Sequence, residues 1–127
     1  APMTFSPDAD FPVINLEKGG VHMTLEAEIP QQPEGIRLVS AQSGTKVNVV
    51  PGKARAVLSG MDRSALSELA ADVEKLTGVV FTMEQEADGI HLLAEGKPAH
   101  AASPQMGNNA LTALLLLLSR VPFSSEE

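Results

Sequence analysis

Three stretches of the chain carry side chains whose type and setting could do chemistry. The first is Gly96-Lys97-Pro98-Ala99-His100-Ala101-Ala102-Ser103-Pro104, a histidine among small residues between two prolines. Proline fixes φ and stiffens a loop, and small neighbours leave the imidazole open to approach. Such a ring can donate to an anion, ligate a metal or move a proton; a solvated loop histidine is the plainer reading of the same pattern. The second is Asn48, in Gly44-Thr45-Lys46-Val47-Asn48-Val49-Val50-Pro51. A buried amide there needs hydrogen-bond partners, and the plainer reading is a turn or edge amide. The third is Asp8 with Asp10, carboxylates in an irregular segment that can ligate a hard or borderline cation or sit in a solvated turn. His22 and His91 fall in extended runs and are assigned no role. The chain has no HExxH, no Gly-rich phosphate loop and no nucleophile elbow.

The elements that must position these residues follow from hydrophobic period and turn chemistry. Residues 1–12 hold three prolines and two aspartates and read as an arm. Strands are predicted at Val13–Glu17, Val21–Ile29 and Ile36–Ala41, with a turn at Gln42-Ser43-Gly44. Val47–Val50 runs extended into Pro51, as the residue before proline favours. Lys53–Leu58 alternates Ala54, Ala56 and Leu58 against Arg55 and Val57, which suits a half-buried strand. Asp62 or Ser64 then caps a helix whose apolar stripe is Leu66, Leu69, Val73 and Leu76, stopped by Gly78. Val79–Glu84 and Ile90–Ala94 flank Asp88-Gly89, a hairpin signal. Gly96 to Gly107 is a loop, and Asn108 or Asn109 caps a last helix, Ala110–Val121. Its five consecutive leucines, Leu114 to Leu118, imply burial on most sides or packing against another chain or domain.

From Lys53 onward the order is strand, helix, strand, strand, helix. It predicts an α+β fold: an antiparallel sheet with two helices on one face, a ferredoxin-like split βαβ layer. The fourth strand is to come from the upstream strands or from a last strand truncated beyond Glu127. An ending directly behind a helix reads as the edge of a piece.

Composition narrows the function. The 127 residues fit one domain, or a domain with an arm. With 43% apolar residues but four Phe and no Trp or Tyr, the core must be aliphatic. A net charge of −7 argues against nucleic acid, which needs a basic face. No cysteine means no disulfide, no Cys-ligated zinc and no thiol nucleophile. The leucine run is far short of the roughly 20 residues that span a bilayer. Ala1 to Asp10 lacks a basic start and an apolar stretch, so a cytoplasmic setting is expected.

Three segments, in order, resemble one enzyme family. Ser6-Pro7-Asp8-Ala9-Asp10-Phe11-Pro12-Val13-Ile14 followed by Glu17-Lys18-Gly19 is similar to the junction between catalytic and lid domains of peptidase V-type, carnosinase-like dipeptidases. These belong to the aminoacylase and carboxypeptidase superfamily of zinc peptidases. Asn48-Val49-Val50-Pro51 resembles that superfamily's Asn-Val-Ile-Pro signature. Gly96 to Ala110 resembles its lid histidine motif. The resemblance implies residues 1–20 as arm and first strand leading from a catalytic domain of the same chain. Residues 21–127 would be the first half of the lid, with 53–121 its ferredoxin-like part. It implies a dipeptide substrate and two zinc ions, held by two histidines, a bridging aspartate, a glutamate and a further aspartate that matches Asp8. His100 would stabilise the tetrahedral oxyanion, and Asn48 would bind the same oxygen or the substrate backbone. The other ligands and the general base would lie outside the chain, leaving it inactive alone. Two alternatives stay open: the lid or dimerisation domain of a related N-acyl-amino-acid hydrolase or deacetylase, and a non-enzymatic ferredoxin-like module that pairs through its leucine-rich helix.

Overall fold

The computed structural model describes residues 34–123. The arm, the strands expected at Val13–Glu17 and Val21–Ile29, Asp8 and His22 lie outside these residues. The described elements are β1 (Arg37–Ser43), β2 (Val49–Val50), β3 (Lys53–Ser59), α1 (Arg63–Thr77), β4 (Val80–Glu86), β5 (Gly89–Glu95), β6 (Ala99–His100), a 3-10 turn (Pro104–Met106) and α2 (Ala110–Leu118). Four strands form an antiparallel sheet in the order β1-β3-β5-β4, and β2 and β6 form a separate two-stranded ribbon. The chain is α+β, as expected. The fourth strand among the described residues is the upstream β1, paired antiparallel to β3. β5 runs antiparallel to both β3 and β4, so β3 and β4 are parallel with β5 between them and α1 as their crossover.

One face of the sheet carries the core. Ala54, Ala56 and Leu58 of β3 are buried, as are Ile90, Leu92 and Ala94 of β5 and Phe81 of β4. The alternation follows from the period of two along a strand. Both helices close over this face: Leu66, Ala70 and Val73 from α1, and Ala110, Ala113, Leu114, Leu117 and Leu118 from α2. Alanine at three of the β3 and β5 core positions lets the helices approach closely, and leucine fills the space from the helix side. This core is aliphatic except for Phe81, as the composition requires.

Several element boundaries differ from the sequence reading for local reasons. β1 runs through Gln42 and Ser43, so the turn starts at Gly44, whose φ is +79°. A register shift between Leu38 and Ser40 bulges the strand at Val39. Val47 and Asn48 lie in a turn closed by the Val49 N–H donating to Lys46 O (3.3 Å), leaving only Val49–Val50 extended. The hairpin turn falls on Ala87-Asp88, with Gly89 already paired to Glu86. Leu76 is 67% exposed and Ala70 takes its place in the α1 stripe. α2 stops at Leu118, short of Val121, because the Arg120 and Val121 N–H groups turn back to Leu117 O and Leu118 O. Its leucines do not point all ways into other matter. Leu114, Leu117 and Leu118 are buried in the chain's own core, and Leu115 is 55% exposed. Among the described residues no helix is long and apolar enough to cross a membrane.

Candidate functional site: the β2–β6 ribbon

The two sequence-predicted residues within the described region meet at the ribbon. β2 pairs antiparallel with β6, with Val49 opposite His100 and Val50 opposite Ala99. The Ala101 N–H donates to Asn48 O at 2.9 Å, so Asn48, the turn residue just before β2, is tied to the residue that follows His100. Both are exposed, so the Asn48 amide is available for a ligand and is not the buried group considered from its apolar neighbours. Asp8, the third candidate, lies outside the described residues.

Three pieces of chain hold the ribbon in place. Gly96 N–H donates to Gly52 O at 2.9 Å, and Ala110 N–H, at the start of α2, donates to Pro51 O at 2.9 Å. Lys97 and Asn108 exchange backbone hydrogen bonds of 2.8 and 2.7 Å. The segment before β3, the loop after β5 and the entry to α2 are therefore stitched together. Gly96 is required by this packing: a Cβ there would sit 2.2 Å from Asn108 O. Of the two asparagines offered as caps, Asn109 is the cap, its side chain accepting from the Leu111 and Thr112 N–H groups. Asn108 instead donates through Nδ2 to Thr77 O at 2.9 Å, tying the loop to the C-terminus of α1. The sequence marks Asn108 only as a second helix-start candidate, and its long-range bond has no local signature.

The histidine itself is oriented. Ser103 N–H donates to His100 O at 2.9 Å, closing a turn over His100 to Ser103. Within that turn the Ala102 N–H donates to His100 Nδ1 at 3.1 Å. The small residues at 101 and 102 let the ring fold back onto the backbone. Nε2 has no hydrogen-bond partner among the described residues, and the side chain faces solvent. The arrangement can offer an imidazole N–H to an incoming acceptor, and Asn48 adds an exposed amide at the same end of the ribbon.

A second cluster was not read from the sequence. His91 Nε2 lies 2.7 Å from Asp88 Oδ1 and 3.8 Å from Glu86 Oε2. A hairpin whose turn ends in Asp, with histidine three residues on, is the signal that could have found it. The hydrogen bond that His91 donates to Asp88 raises the His91 pKa above its ordinary 6.5, with help from the charges of Asp88, Glu86 and Glu84. The same bond lowers Asp88. Among the described residues these are the ones that bring three ligand-bearing side chains within 4.8 Å of one another. They stand at the hairpin end of β5, whereas the loop carrying His100 leaves its other end. A concavity of about 340 Å³ on the open face of the sheet is lined by Arg55, Glu84, Glu86 and His91, and includes neither Asn48 nor His100. Neither feature is the ribbon site.

No family model matches the chain. It does resemble parts of named dipeptidases. It is 33% identical over 129 residues to the Beta-Ala-Xaa dipeptidase of Lactobacillus delbrueckii subsp. lactis, covering 98% of this chain and 27% of that protein. It is 37% identical over 112 residues to YtjP, a provisionally named dipeptidase of Bacillus subtilis (strain 168), covering 85% of this chain and 24% of that protein. A provisionally named dipeptidase of Staphylococcus haemolyticus (strain JCSC1435) is 35% identical over 123 residues, covering 91% and 25%. The chain thus spans about a quarter of the length of the curated relatives it matches, and what it is similar to is one section of a dipeptidase.

Proposed function

We propose that this chain is the first half of the substrate-covering lid of a peptidase V-type, zinc-dependent dipeptidase, working with a catalytic domain of the same protein in the cytoplasm. The observation that carries the reading is the ribbon: it brings Asn48 and His100, both exposed, to one end of the fold, with His100 Nδ1 held by the Ala102 N–H. The dipeptidase names of the relatives support the substrate class. The strand order, with β5 between the parallel β3 and β4, supports the ferredoxin-like lid.

His100 donates from Nε2 to the oxygen that becomes negative as the peptide carbonyl turns tetrahedral. A fixed donor aimed at charge that develops only in the transition state lowers the barrier, and losing one costs on the order of 10²–10³ in kcat. Asn48 binds the same oxygen or the substrate backbone through its exposed carboxamide. Closure of the ribbon over the substrate excludes water and completes the site. Zinc, when bound in the whole protein, supplies a Lewis acid and an activated water. The described residues do not form that site. Their one three-ligand cluster has a single histidine and stands at the opposite end of β5. Asp8 is the zinc ligand this chain would lend to the complete enzyme.

The test is substrate choice by the whole protein loaded with zinc. Release of free amino acids from unblocked dipeptides, with little turnover of N-acyl amino acids, is the expected result. The reverse preference would replace the dipeptidase reading with an acyl-amino-acid hydrolase. Turnover of neither would leave a binding module.

A further inference from the structure

We propose that the backbone N–H of Ala102 fixes neutral His100 in its Nε2–H tautomer, which makes Ala102 a positioning residue for the donor. The importance of this for catalysis rests on the oxyanion role proposed above; the tautomer itself rests on geometry alone. A neutral imidazole carries one proton, so one ring nitrogen donates and the other accepts. Here Nδ1 accepts from Ala102 at 3.1 Å. The proton must then be on Nε2, which is unpartnered among the described residues on an exposed side chain. The geometry copies an Asx turn, in which a side-chain acceptor takes the N–H two residues on, with imidazole in place of a carboxylate or amide.

Two further bonds keep the ring from leaving this arrangement. Ser103 N–H on His100 O holds the turn, and Ala101 N–H on Asn48 O anchors its start to the residue before β2. A backbone donor also cannot rotate away as a hydroxyl can. In the alternative tautomer two N–H groups would point at one another at Nδ1, so that form requires the turn to open. The ligand such a ring selects is an acceptor oxygen, preferably anionic.

The test uses the uniformly ¹⁵N-labelled chain in mildly alkaline buffer. His100 signals are identified by their loss in His100→Ala. Long-range ¹H–¹⁵N correlation is expected to show Nε2 protonated and Nδ1 bare, with a through-hydrogen-bond ¹⁵N–¹⁵N coupling from Ala102 N to His100 Nδ1. Ala102→Pro removes the donor and is expected to abolish the coupling and average the two ring nitrogens; Ala102→Gly keeps the N–H and should keep both signals. A protonated Nδ1, or averaged nitrogens without coupling in the unaltered chain, overturns the proposal. No substrate enters these readouts. A whole protein that cleaves no dipeptide would sink the proposed function and leave the tautomer standing, and an averaged ring in an active dipeptidase would do the opposite.

Discussion

His91 and Asp88 join protonation to folding through one short contact. The folded His91 pKa is raised and the folded Asp88 pKa lowered by their mutual hydrogen bond. A raised imidazole contributes stability that is full below its unfolded pKa and lost as pH rises through the folded one. A depressed carboxyl contributes stability that is present above its unfolded value and lost as pH falls through the folded one. The pair therefore stabilises the hairpin between the acid range below 3.8 and the range above 6.5. Melting of the chain beside His91→Gln should show its largest difference near about pH 5–6 and a shrinking one as pH rises past about 7. Salt should reduce the difference, since both groups are exposed. A difference that stays flat with pH would contradict the pairing. Asn48 is a separate residue-scale case. If its carboxamide meets the substrate, Asn48→Ala in the whole protein should lower kcat/KM by roughly tenfold, as expected for a hydrogen bond to a charged partner of about 1.5 kcal/mol, without changing the melting temperature. An unchanged kcat/KM would remove Asn48 from the site.

Among the elements, local signals are legible wherever a cap or an alternation decides the matter. Asp62 accepts from the Ser64 and Ala65 N–H groups at the start of α1, and Gly78 ends it at φ +69°. Asn109 does the same for α2, and β3 shows the alternation that its residues spell out. What is not legible depends on partners distant in sequence. Nothing near Asn108 announces Thr77, 31 residues away, and nothing in Ile36 to Ser43 announces that this strand rather than a later one fills the place beside β3. Leu76 fits the helical stripe by spacing and is exposed all the same, because the buried face of α1 runs through Leu66, Ala70 and Val73 and Leu76 lies off its edge. The site is legible as two motifs, and their pairing across the ribbon is a product of the fold. That pairing gives an element-scale prediction. Gly96→Ala drives a Cβ into Asn108 O and should cost about 1–3 kcal/mol, as overpacking does, while shifting amide signals across residues 96–110. Unaltered stability and spectra would mean that the loop and the α2 entry are not stitched as described.

At the scale of the molecule, the described residues share one largely aliphatic core under one sheet face, with the ribbon at one end and the His91 hairpin at the other. The leucines of α2 serve this core, which removes the main reason to regard that helix as a docking surface. The described residues include no two-histidine metal set. On the proposed reading it should fold and yet hydrolyse no dipeptide when supplied with zinc, checked by circular dichroism and an amino-acid release assay on the same sample. Activity from the isolated chain would contradict that division of labour.

The central claim is that His100 is the oxyanion donor of a dipeptidase, and the direct measurement is kcat for dipeptide hydrolysis by the zinc-loaded whole protein beside its His100→Ala variant. The expected result is a loss on the order of 10²–10³ in kcat, with unchanged melting and metal content. An active whole protein whose His100→Ala variant turns over dipeptides at the same rate would contradict it.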